Sequence, residues 1–119
     1  MTTYVNTGTI NRIIDGDTII INVDLGYNIT ATQHFRVDGI NAPEHNTTAG
    51  QTATNYLTTL IPPTTRVTVT CSGPDKYGNR WLATITTPDG LSIGTEMLSS
   101  GNAFAWNGLG KKPTAPPTP

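Results

Sequence analysis

Cysteine is nearly absent, with Cys71 standing alone among 119 residues. An internal disulfide and a multi-cysteine zinc site are thereby excluded. In "VTVTCS" that cysteine reads as a small buried strand residue. Charge is scarce too: 13% of residues are charged and the net charge is −1. A globally basic nucleic-acid binder is not indicated, and any anionic substrate has to be held by a few local cations. On composition alone, an ordinary soluble protein with no nucleic-acid role reads best. Only two histidines occur, His34 and His45, without metal-binding spacing, and both read as surface residues. No apolar run approaches membrane-spanning length. The opening "MTTYVNTGT" lacks a basic n-region and an apolar h-region. A cytoplasmic setting is the default expectation, and secretion after removal of a leader stays open.

What the chain does have is threonine and β-branched residues, which favour strands. Strands are expected over Val5–Ile14, Thr18–Leu25 and Ile29–Val37. In the second, Ile19, Ile21, Val23 and Leu25 alternate on one face; in the third, Ile29, Ala31, Phe35 and Val37 do. "NAPEHNTTAG" breaks the pattern as a loop. Thr48 and Gln51 then have capping-box spacing. Ala49, Ala53, Tyr56, Leu57 and Leu60 recur at helical intervals, and "IPP" stops the helix. A fourth strand is expected over Arg66–Ser72, with Val67, Val69 and Cys71 alternating, and a fifth over Arg80–Thr86. Ser92 is placed to cap a short second helix carrying Ile93, Met97 and Leu98, with Gly101 as its stop. Three strands, a helix, two strands and a helix is the order of a mainly β fold, the five-stranded Greek-key OB-fold barrel. One domain over residues 1–108 and a proline-rich, disordered tail over 109–119 are expected.

Four segments gather the residues suited to chemistry: "DGDT" (15–18), "FRVDGINAPE" (35–44), "DKYGNR" (75–80) and "GNAFAW" (101–106). Each alone has a plain structural explanation as a turn, a solvated loop or core cover. Asp15-Gly16 reads as a tight hairpin turn. Phe104, Trp106 and Trp81 read as core or rim. An EF-hand loop beginning at "DGDT" is rejected, because its later ligands are missing.

In order and at this spacing, however, the four segments resemble the staphylococcal nuclease family, over about Thr9 to Trp106. The resemblance implies an OB-fold enzyme that hydrolyses phosphodiesters of DNA and RNA, leaves 3′-phosphate ends and uses calcium, with magnesium or manganese as alternatives. It implies that Asp17, Asn41 and the carbonyl of Ala42 hold the metal. Arg36 and Arg80 would grip the phosphate, Glu44 would orient or deprotonate the attacking water, and Lys76 and Tyr77 would contact a terminal phosphate. The chemistry suits these types. A hard cation takes oxygen ligands, arginines clamp phosphate oxygens, and a carboxylate one water away handles the nucleophile. A monomer acting on single-stranded nucleic acid, with no membrane partner, is expected.

Two departures matter. Asn41 is neutral where the family pattern carries aspartate, which predicts weaker metal binding. Asp38 is three residues away and is not a replacement. "DKYGNRWLA" has one residue more than the usual pattern, which leaves Asn79 or Arg80 at the second arginine position; arginine chemistry favours Arg80. The alternative reading is a weakened OB-fold module that binds nucleic acid or a protein without cutting. The trio Arg36, Glu44 and Arg80 argues against it, since binding alone has no need of them.

Overall fold

β-branched residues crowd the first forty positions. In the computed structural model, which describes residues 4–74 and 80–106, they pair into long strands. β1 (Tyr4–Asp15), β2 (Thr18–Asp24) and β3 (Thr30–Val37) form an antiparallel meander. A two-residue strand, β4 (Ile40–Asn41), precedes α1 (Thr48–Leu60). β5 (Arg66–Pro74), β6 (Trp81–Thr86), α2 (Ile93–Ser99) and a second two-residue strand, β7 (Phe104–Ala105), follow. The five long strands close into a barrel in the order β1-β2-β3-β6-β5. β3 and β6 run parallel, and their pairing from Phe35↔Trp81 to Val37↔Ala83 seals the wall. This is the expected OB-type barrel with two helices. Register shifts in β1 between Ile10 and Arg12 and between Ile13 and Asp15, and in β5 between Cys71 and Gly73, supply the bends that closure needs.

The alternation in β2 holds for Ile19, Ile21 and Val23, all buried in the barrel with Ile10, Val67, Val69 and Ile85. It fails beyond the barrel's end, where Leu25 and Ile29 are exposed. Both lie in the hairpin loop, after β2 ends at Asp24 and before β3 begins at Thr30, so the expected strands are one residue shorter there. Val67, Val69 and Cys71 are buried as expected. The first helix is capped one residue earlier than its sequence suggests. Thr47 is the N-cap and accepts the Gly50 amide at 3.0 Å, so Thr48 and Gln51 do not form the box. Ser92 precedes α2 but makes no side-chain cap bond, and Leu98 is exposed rather than core. Gly101 does take the left-handed conformation that ends α2, at φ 79°.

The β1–β2 connection also corrects the sequence reading. Asp15 pairs with Thr18, so the two loop residues are Gly16 and Asp17. Gly16 is not among the residues with positive φ. Its lack of a side chain serves packing instead: a Cβ there would come within 2.9 Å of Ala42 Cβ and 3.0 Å of Ala53 Cβ, with Met97 beside them. Both helices therefore close on this end of the barrel. The opposite end stays open around a cavity of about 320 Å³ lined by Tyr4, Leu25, Phe35, Cys71 and Trp81. Among the described residues no helix is long and apolar enough to cross a membrane. Lys76, Tyr77, Asn79 and the tail expected over 109–119 lie outside the described residues.

Candidate active site

At the closed end the two-residue turn leaves Asp17 at the barrel's edge, one residue before β2. Its carboxylate joins three segments. Oδ1 accepts the Thr18 hydroxyl at 3.0 Å, and Oδ2 accepts the Ala42 amide at 2.9 Å and Arg36 Nη2 at 3.5 Å. Asp17, Arg36 and Asn41 are only 6%, 5% and 8% exposed. A buried ion pair costs desolvation, which is recovered only when the remaining polar atoms are also satisfied. Arg36 meets that condition: Nη1 donates to the carbonyl of Ile40 at 2.9 Å, and Nη2 donates to Asn41 Oδ1 at 3.1 Å.

Arg36 also has an aromatic cover. The Trp106 ring lies over its guanidinium, 5.0 Å from carbon to ring centroid. The pairing Asn41↔Phe104 between β4 and β7, with the Trp106 amide donating to Gly39 O at 2.9 Å, places that ring. A guanidinium stacked on an indole gains a cation–π term, roughly 0.5–2 kcal/mol, and keeps its edge for hydrogen bonds. Phe104 is core, as expected, but Trp106 is a site residue that the sequence reading left as core or rim. Its segment, "GNAFAW", stands out in the sequence, but the contact with Arg36 does not, because it depends on a two-residue strand pairing.

Arg80 precedes β6, and its Nη1 reaches the Thr18 hydroxyl at 3.4 Å. Thr18 is paired in register with Arg36. The two arginines and Asp17 thus converge on one patch of the outer wall across β2, β3 and the start of β6. Glu44 stands in the loop before α1. Its carbonyl accepts the Thr47 amide at 3.1 Å and the Thr47 hydroxyl at 2.8 Å. Its carboxylate is exposed and makes no hydrogen bond or ion pair to a described residue. Asp38 is exposed in the turn after β3, and His34 is exposed on β3. Lys76 and Tyr77, singled out for a terminal phosphate, are among the undescribed residues.

No cluster of three or more His, Cys, Asp or Glu side chains occurs among the described residues. The oxygens of Asp17 and Asn41 nevertheless converge on the same nitrogen, Arg36 Nη2. A carboxylate offers about four lone-pair sites. Thr18, Ala42 and Arg36 take three of them, so coordinating capacity remains on Asp17. Oxygen is the donor type a hard cation takes, but the point where these two oxygens meet is held by the guanidinium, so an ion would use the lone pair that Thr18, Ala42 and Arg36 leave on Asp17.

A family model described as "Staphylococcal nuclease homologue" matches residues 34–115, more than half of the chain. The chain belongs to the staphylococcal nuclease family. Two curated proteins named "Uncharacterized endonuclease", one from Escherichia coli O157:H7 and one from Escherichia coli, are each 30% identical over 109 residues, 92% of this chain and 67% of the relative. "Endonuclease YhcR" of Bacillus subtilis (strain 168) is 30% identical over 111 residues, which is 83% of this chain and 9% of that protein. Family membership covers the strands and loops that carry Arg36, Asn41, Glu44 and Arg80; Asp17 lies before the matched range.

Proposed function

We propose that this protein is a divalent-cation-dependent nuclease that hydrolyses phosphodiester bonds of DNA and RNA and leaves 3′-phosphate ends. The observation that carries the reading is the meeting of Asp17, Arg36, Asn41 and Arg80 on one wall, with an unbonded Glu44 carboxylate on the adjoining loop. The endonuclease names of the relatives point the same way.

Asp17, Asn41 and the Ala42 carbonyl would hold the ion, with calcium first and magnesium or manganese as alternatives. When bound, the ion neutralises charge on the phosphate oxygens. Arg36 binds a phosphate oxygen in exchange for one of its present partners, the carbonyls of Val37 and Ile40, Asp17 Oδ2 or Asn41 Oδ1, and the Trp106 ring limits how far the guanidinium can turn. Arg80 binds a second oxygen from the neighbouring strand. Two arginines spread the charge that builds up as phosphorus becomes five-coordinate. Glu44 orients a water for in-line attack and accepts its proton. A single unpaired strand is the preferred substrate, because its backbone bends into a site on the barrel wall.

The test is hydrolysis of single-stranded DNA by purified protein, with calcium, magnesium or manganese and with a chelator. Cation-dependent cutting that Arg36→Ala abolishes is expected. Absence of cutting with every ion would overturn the reading and leave the alternative of a binding module.

A further inference from the structure

The Glu44–His45 peptide group is held at both of its polar atoms. Its carbonyl faces Thr47, which donates an amide at 3.1 Å and a hydroxyl at 2.8 Å. Its N–H, on His45, donates to Asp15 Oδ1 at 2.9 Å. The His45 ring touches the same oxygen through Nδ1, also at 2.9 Å. An ionised carboxylate only accepts, so Nδ1 carries the proton in this contact. Gly50 closes the arrangement from α1. A Cβ there would overlap the Glu44 carbonyl, and it would lie 2.9 Å from the His45 nitrogen. The last residue of β1, the cap of α1 and the first turn of α1 therefore meet on one peptide unit. The Asp15 side chain is only 18% exposed, although it borders a surface turn.

We propose that Asp15 is a positioning residue for Glu44. The proposal rests on the reading of Glu44 as the residue that handles the attacking water. Holding this peptide plane at both polar atoms fixes the position of the Glu44 Cα–C bond, and so restricts the backbone from which the carboxylate hangs. The carboxylate itself is bonded to no described residue, so the backbone has to aim it. A misplacement of about 1 Å can cost on the order of a hundredfold in rate. The rival explanation is that Asp15 acts only by its negative charge, near Asp17. Asparagine separates the two, because its amide oxygen still accepts the His45 N–H but carries no charge.

The test compares Asp15→Ala and Asp15→Asn in kcat and KM on single-stranded DNA, and in hydrogen exchange of the His45 amide in cation-free protein. For Asp15→Ala, kcat is expected to fall about tenfold to a hundredfold with KM little changed. The His45 amide is expected to exchange about tenfold faster or more. Asp15→Asn is expected to restore both values towards wild type. An Asn variant as slow as the Ala variant would overturn the proposal in favour of charge alone. Wild-type protection of His45 in Asp15→Ala would overturn it as well. Should Asp15→Ala fail to fold, Asp15→Asn carries the test alone: protected and active supports the proposal, folded but slow refutes it. Failure of the nuclease reading is a separate result, because wild-type protein would then cut nothing while the exchange measurement still reports on the Asp15 contact.

Discussion

Where β1 turns into β2, Gly16 lies against Ala42, Ala53 and Met97, and Asp17, Arg36 and Asn41 are buried beside it. At the other end of the barrel Tyr4, Leu25 and Trp81 rim an open cavity of about 320 Å³, and Tyr27 on the β2–β3 hairpin is 97% exposed. The polar end is the closely packed one and the apolar end is the loose one. A buried polar group is costly unless its partners stay in place. Both helices and the β4–β7 pairing are accordingly spent on the end that carries Asp17 and Arg36. The apolar end has no such requirement and tolerates a gap. Among the described residues, none of the proposed site residues lines this cavity.

The largest effect expected is at Arg36. Arg36→Ala should lower kcat by on the order of a thousandfold. It should also lower stability by about 3–5 kcal/mol, because Asp17 is left buried with a lost partner. Denaturant unfolding and DNA hydrolysis measure the two losses; loss of activity with unchanged stability would mean that the buried pair is not a structural element. Glu44→Gln comes next. It should cost about a hundredfold or more in kcat while leaving the melting temperature unchanged, since that carboxylate makes no bond to a described residue.

Asn41→Asp should tighten calcium binding by roughly tenfold by adding a second anionic oxygen to the donor set. Titration calorimetry checks this, and an unchanged affinity would remove Asn41 from the donor set. Gly16→Ala should destabilise by about 1–3 kcal/mol through overpacking against Ala42 and Ala53. Were it neutral, the closed end would be looser than described. At the open end Cys71→Leu should change stability by less than about 1.5 kcal/mol and leave kcat alone, because the cavity has room for the extra carbons. A large loss of activity there would erase the contrast between the ends.

How much of this was legible in the chain depends on the range of the interaction. The alternation Ile19, Ile21, Val23 and the run Val67, Val69, Cys71 are local periodicities, and the barrel interior follows them. The motif residues Asp17, Arg36 and Asn41 come together at one end of the barrel. Three features depend on packing between distant segments and leave no local trace. Gly16 looks like a hairpin glycine, yet it is required by Ala42 and Ala53 rather than by its own φ. Trp106 reaches Arg36 only through a two-residue strand pairing. Asp15 looks like turn chemistry, but its carboxylate bonds to His45 thirty residues on. Thr47 rather than Thr48 caps α1, because the chain before it folds back so that the Glu44 carbonyl meets Thr47.

The contrast between the two ends stands or falls on where the chemistry is done. The most direct measurement is kcat for single-stranded DNA in calcium, for wild type and Glu44→Gln of equal thermal stability. The account predicts cation-dependent cutting by the wild type and a loss of about a hundredfold or more in the variant. Equal rates for the two proteins, or no cutting by the wild type with calcium, magnesium or manganese, would contradict it.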